Sequence, residues 1–496
     1  MPDAWAIGPA TLRTIAVAVA TVFATLAVSV PAAAALARLP RRAADGIVVF
    51  GAVVAVMPLV VHVAAWEATA GKFGWAWLVQ SGASTTVRES FRSLSATAWV
   101  HAAHAAVLGG LIIRVADSVT PADACAAVEM SPVAAWWRVR LPRLRGAVAA
   151  AAVLNAGIAA TEMTVADLYG CVTLADRFYL LYAAGGPWTA VAATSTPAIL
   201  AAAAMIVVLR RHVGRWRSGD EYGLTLAPES RGDFGAWSWA AGFVAVTMLP
   251  VLVSPWVRVG LDSAGRYSFT RVAERLSRLP EFGDEIVWTL VLSVVVGTLA
   301  AAVAAAAMVA WPGGSRFRGG VLVIAALALV PGPLWGLAVS RCFQLPVPGF
   351  GTIYDRSVVP TVIAMFPRAL AVAIAILFLG YRRRDRGVFE TAAVELEFWR
   401  RWTTIDGPLL RPELVLAALA AGVAGAGDLA VTLPVVPPGV DTLPTRLFGL
   451  LHSGARYQES VLVIVYQTLT LAAVVSAWLM RRWVSGQRCR PGTLPK

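Results

Sequence analysis

Few side chains in this sequence could act chemically, and most of them sit in apolar surroundings. Glu162, Arg368 and Asp428 fall within or at the ends of long hydrophobic runs, where an ionisable group marks a functional site by default. Glu162 and Asp428 are 266 positions apart, a spacing that recurs below. Acids so placed suit a cation route, or they cap a helix mouth or pair with the arginine, and both readings stand. His101 and His104, at i and i+3, share a helix face as metal ligands do. No Glu or Cys accompanies them, and hydrogen bonding between helices is the commoner use of such residues in a bilayer, so no metal is assigned. Cys125, Cys171, Cys342 and Cys489 show neither disulfide nor metal-ligand spacing. There is no P-loop, nucleophile elbow or HExxH. No catalytic residue or cofactor is assigned, the chain is not read as an enzyme, and any energy source has to lie in another subunit.

The elements that hold these residues follow from composition. A hydrophobic fraction of 58% with 14% charged residues excludes a soluble globule. The net charge of +13 is almost all arginine, Lys72 and Lys496 being the only lysines, and no basic soluble domain is present, so nucleic acid is not expected as a partner. A span needs about 20 apolar residues, and eleven segments qualify: 14–36, 47–67, 94–113, 147–168, 188–209, 236–257, 286–310, 321–341, 359–380, 412–433 and 460–480. The expected fold class is all-α and polytopic. The first run is too long for a signal h-region and is followed by Arg38, Arg41 and Arg42, so it reads as a retained span. The arginine bias of the loops then places the N-terminus outside and the C-terminus in the cytoplasm.

A repeat organises the chain. Shifting by 266 carries Ala126, Ala127 and Glu129 onto Ala392, Ala393 and Glu395, and Trp136, Pro142 and Arg145 onto Trp402, Pro408 and Arg411, without a gap. The same shift carries the third and fourth spans onto the ninth and tenth. The expected organisation is a first transmembrane unit at 1–210, a linker with an extra span and an outer loop at 211–285, and a second transmembrane unit at 286–496. An odd unit of five spans copied directly would enter the membrane upside down. The unpaired sixth span restores parity, so both repeated segments fall on the cytoplasmic side, unlike the inverted repeats of many secondary transporters. Each segment reads as a short amphipathic helix with Trp136, Trp137, Trp399 and Trp402 as apolar anchors, ended by Pro142 or Pro408 before the next span. Taken alone, such a helix could simply lie in the headgroups.

The segment resembles the cytoplasmic coupling loop of binding-protein-dependent ABC importer permeases. Asp123, Ala124, Val139, Leu141 and Pro142 match its pattern in the first copy, and Glu390, Ala392, Ala393, Ile405 and Pro408 in the second, with Glu129 and Glu395 where the family has glycine. Together with PGPLWGLAV at 331–339 and the stretch from Asp428 to Tyr466, the chain is most similar to fused two-unit permeases for ferric iron, with thiamine importers as near relatives. The resemblance implies two copies of a separate ABC ATP-binding subunit docked on these segments, an extracytoplasmic substrate-binding protein, membrane lipid around the spans, and a bacterial inner-membrane location. An ion-coupled secondary transporter and a membrane enzyme built on His101 and His104 are the alternatives of other classes.

Overall fold

A peptide group in hydrocarbon has no water to bond, so an apolar run must satisfy its backbone internally, and a helix does so along its own length. The computed structural model describes residues 7–71, 74–75, 93–117, 130–186, 188–213, 233–262, 264–310, 323, 326–327, 329–382 and 386–488. Within these residues the chain is helical, and its β structure is one isolated bridge between Leu261 and Tyr267. The protein is therefore all-α and polytopic.

Among the described residues eight helices are long and apolar enough to cross a membrane: Ile7–Leu36, Leu94–Arg114, Val133–Thr161, Phe234–Gly260, Leu279–Ala310, Val359–Tyr381, Phe398–Ala426 and Tyr457–Ser476. The bent pair Arg41–Val56 and Leu59–Ala70 makes nine if it counts as one span. Eleven were expected. The run at 188–209 lies in a helix, Trp188–Val213. The run at 321–341 falls partly outside the described residues, and its described end is the helix Gly332–Phe343.

The second expected span is broken at Pro58, where the helix axis turns by 104°. Proline has no N–H, so the carbonyl of Val54, four residues back, loses its donor. Nε2 of His62 replaces it at 3.0 Å, and Nε2 of His104 meets the next carbonyl, Ala55, at 3.2 Å. A carbonyl only accepts, so both rings carry their proton on Nε2. The two rings stack edge to face with centroids 4.8 Å apart. His104, half of the metal-spaced pair, is thus engaged in holding a helix break. Replacing His62 with leucine should remove about 1–3 kcal/mol by orphaning the Val54 carbonyl, seen as a lower thermal midpoint in detergent. An unchanged midpoint would refute this role.

Two helical triads form the bundle. Ile7–Leu36, Leu94–Ala116 and Leu141–Thr161 pack together in the first half, and Gly283–Ala310, Val359–Arg382 and Gly407–Ala426 in the second. In the second triad, Leu292, Val296, Met365, Ala369 and Ala421 form one buried cluster. The offset of 266 carries Pro132–Ala135, Trp136–Arg140 and the start of Leu141–Thr161 onto Phe398–Arg401, Trp402–Asp406 and the start of Gly407–Ala426. A matching detail lies outside the motif. Thr173 and Thr442 each cap a helix, and the next backbone N–H, of Leu174 or Leu443, donates to a threonine on the first helix of its own half, Thr14 at 2.9 Å or Thr289 at 2.8 Å. The helix Phe234–Gly260, read from the sequence as the extra span, lies against Ile7–Leu36, Leu59–Ala70 and Arg456–Arg488.

Candidate functional site

The helices Leu141–Thr161 and Gly407–Ala426 carry different chemistry at their two ends, about 30 Å apart at 1.5 Å per residue. At the C-terminal ends stand the acids. Both expected spans run past these residues, to 168 and 433, but the helices stop at Thr161 and Ala426, just before Glu162 and, after Gly427, Asp428. Glu162 accepts from the backbone N–H of Thr164 at 2.8 Å through Oε1 and of Val165 at 3.0 Å through Oε2, which starts the short helix Thr164–Leu168. Asp428 precedes the equivalent turn, Leu429–Thr432.

The structure brings the three path candidates together. Arg368, inside the helix Val359–Arg382, places Nη1 2.7 Å from Oδ2 of Asp428, and Glu162 lies within electrostatic reach of the same guanidinium. His101 closes the group, with Nε2 3.9 Å from Oε2 of Glu162. Around this charge cluster the halves meet. Met163 and Ala175 pack against Ala430, Phe178 and Leu181 against Leu337, and Gly427 rests on Pro58. His452 Nε2 adds a polar tie to Asp167 Oδ2 at 3.2 Å.

At the N-terminal ends stand the repeated segments. Residues 123–129, with Asp123, Ala124, Ala126, Ala127 and Glu129, lie outside the described residues. The rest differs from a helix that stops before the span, since Pro132–Thr161 runs on without interruption through a π turn, Trp136–Arg140, and the second copy does the same through Trp402–Asp406. In each, a backbone N–H reaches five residues back, Leu141 to Trp136 and Gly407 to Trp402. The widened turn precedes a proline that has no N–H of its own, so Pro142 and Pro408 sit inside continuous helices.

The tryptophans divide by burial. Trp136 is buried among Val30, Ala33, Ile113 and Leu144, and Trp402 is half-buried against the second triad. Those two brace the segment on its own bundle. Trp137 and Trp399 are exposed, with Val133, Val394 and Phe398 beside them. Among the matched positions, Ala392 is buried, Ala393, Val139, Leu141 and Ile405 are half-buried, and Pro142, Glu395 and Pro408 are exposed, while Glu390 lies in the helix Arg386–Glu395. Sequence reasoning passed over the pins. Arg140 pairs with the buried Asp117 at 3.2 Å, and the buried Arg401 binds Asp406 at 2.7 Å and the carbonyl of Val309 on the neighbouring helix.

No protein-family profile matches the chain. A stretch of 90 residues is 30% identical to a chain of Salmonella choleraesuis (strain SC-B67) named as a 2-aminoethylphosphonate transport system permease protein, PhnV. The match covers 18% of this chain and 34% of that relative, so this chain spans about a third of the length of the curated protein it resembles.

Proposed function

We propose that the protein is the membrane-spanning subunit of an ATP-driven ABC importer, one chain supplying both halves of the translocation path. The observation that carries this reading is the pair of matched segments, each a π-turned helix start with an exposed aromatic edge and an arginine pin, each continuous with a helix that ends at a seam acid. The local likeness to a transport permease supports it. On this reading the chain is two parallel five-helix units joined by Phe234–Gly260, lies in the bacterial inner membrane with the N-terminus outside, and exposes both segments to the cytoplasm.

Two copies of a separate ATPase dock on the segments and an extracytoplasmic binding protein delivers cargo. When nucleotide closes the ATPase pair, the segments are pushed together. Trp136 and Trp402 tie each segment to its bundle, so the push enters Leu141–Thr161 and Gly407–Ala426 and arrives at Glu162 and Asp428. Binding energy that differs between the two conformations then shifts their populations.

The family resemblance points to ferric iron as cargo, and thiamine or another small solute is the other reading. The relative is named for a phosphonate, and the engagement of Glu162 with backbone N–H groups and of Asp428 with Arg368 favours a cargo that is not a bare cation. The ligand carried by the partner binding protein decides between them.

The test of the permease reading is capture of the ATPase subunit by the native chain, with Glu129→Arg plus Glu395→Arg reducing capture at least about tenfold through like-charge repulsion or lost pairing while the chain stays in the membrane. Undiminished capture would remove these glutamates from the contact, and no capture by the native chain would remove the reading.

A further inference from the structure

The seam also holds a cavity apart from the cluster of Glu162, Arg368 and Asp428. Tyr182, Gly185 and Gly186 wall it from the first half and Leu337 and Arg341 from the second, around about 360 Å³. That volume lies in the range of sites for small organic ligands. One side is apolar, since Leu337 packs with Phe178, Leu181 and Val191. Behind Phe178 a further space of about 10 Å³, lined by Thr194, Ser195 and Pro331, is at most water-sized.

The charged side chain on the wall is a cation. Arg341 leaves the last turn of Gly332–Phe343, is exposed, and meets Gln344 Oε1 at 3.5 Å. Among the described residues no carboxylate pairs with it. The same helix links the cavity to the charge cluster. Gly332 lies against Ala430 and Val431, in the turn that Asp428 opens, and Gly336 lies against the carbonyl of Val431. Arg341 stands five residues further on, about 7.5 Å along the helix.

We propose that this cavity binds a small oxyanion of the phosphate, phosphonate or sulfonate class, held by the Arg341 guanidinium and the Tyr182 hydroxyl. A guanidinium offers a planar fork of donors that fits two oxygens of such a group. Val191 and Leu337 accept a short carbon chain, and a simple metal cation would meet an uncompensated positive charge. The site's place at the start of an import path rests on the permease reading, whereas binding of the anion does not.

The experiment uses the purified full-length chain with Cys125, Cys171, Cys342 and Cys489 each replaced by serine and with Ala183→Cys, which puts the single thiol on the cavity wall. Its reaction rates with the anionic sulfonatoethyl and the cationic trimethylammonioethyl methanethiosulfonates are compared. The anionic-to-cationic rate ratio should fall roughly five- to tenfold when Arg341→Gln is added, as expected for loss of one focused charge, and Arg341→Lys should keep most of it. Millimolar methylphosphonate or inorganic phosphate should slow the labelling, and should fail to do so in Arg341→Gln. A ratio indifferent to Arg341→Gln, or labelling indifferent to both anions, overturns the site whatever the ATPase capture shows. Protection that persists where ATPase capture fails keeps the site and removes only the permease reading.

Discussion

Arg368→Gln is expected to destabilise the seam by about 3 kcal/mol, the lower end of what breaking a buried ion pair removes. Asp428 is 4% exposed at its side chain and sits 2.7 Å from the guanidinium, so losing the arginine strands a carboxylate that has nowhere to find water. Arg368 itself is 25% exposed, which is why the lower end of the range applies. Glu162, in reach of the same cation, adds a second negative charge to the site once it is gone. Arg368→Gln combined with Asp428→Asn should recover most of the loss, because the pair is then replaced by two neutral groups able to hydrogen-bond. Thermal midpoints of the purified single and double variants close the cycle. Additive losses would show that the two residues do not depend on each other, and the seam would need another explanation.

Gly422→Val is expected to be at least as damaging. The helices Gly283–Ala310 and Gly407–Ala426 cross with backbone against backbone, Gly297 facing Gly422. A Cβ at Gly422 would fall on the carbonyl of Ser293, and one at Gly297 would fall on the carbonyl of Ala418 and 2.9 Å from Cα of Gly422. These are backbone atoms and cannot rotate away as a side chain end could. In a bilayer, where helices associate through close packing and not through exclusion of water, such contacts carry much of the stability. Valine should therefore separate the helices and remove about 3 kcal/mol or more, above most overpacking losses. Gly242→Val, at a glycine with nothing within 4 Å of its added carbon, is the matched control. Equal yields of folded, monodisperse Gly422→Val and Gly242→Val would contradict the close crossing.

How much of this was legible in the sequence depends on which interactions are local. The helical, membrane-spanning class follows from apolar runs alone, and Glu162, Arg368 and Asp428 stand out because a charge among alanines and valines has to be explained. Their meeting was not legible, since no spacing along the chain says which acid faces Arg368 across a bundle. Trp136 and Trp137 looked alike as anchors. Successive side chains on a helix point about 100° apart, so only one of the two can face the bundle, and the sequence does not say that it is Trp136, buried, and not Trp137, exposed. The prolines suggested an end to the motif, whereas Pro142 and Pro408 follow widened turns in unbroken helices. His62 drew no notice. Its signal was Pro58 four residues earlier in an otherwise apolar run, where a freed carbonyl calls for a side-chain donor.

The central claim is that the two repeated segments face the same side of the membrane, the side where an ATPase binds. Single cysteines replacing Val133 and Trp399, both exposed, test it directly when the native cysteines are removed and an impermeant maleimide is applied to right-side-out and to inverted vesicles. The account requires both positions to label in inverted vesicles and neither in right-side-out ones. Labelling of either position from the outside would place the segments on opposite faces or on the wrong one, and the coupling scheme would fail with it.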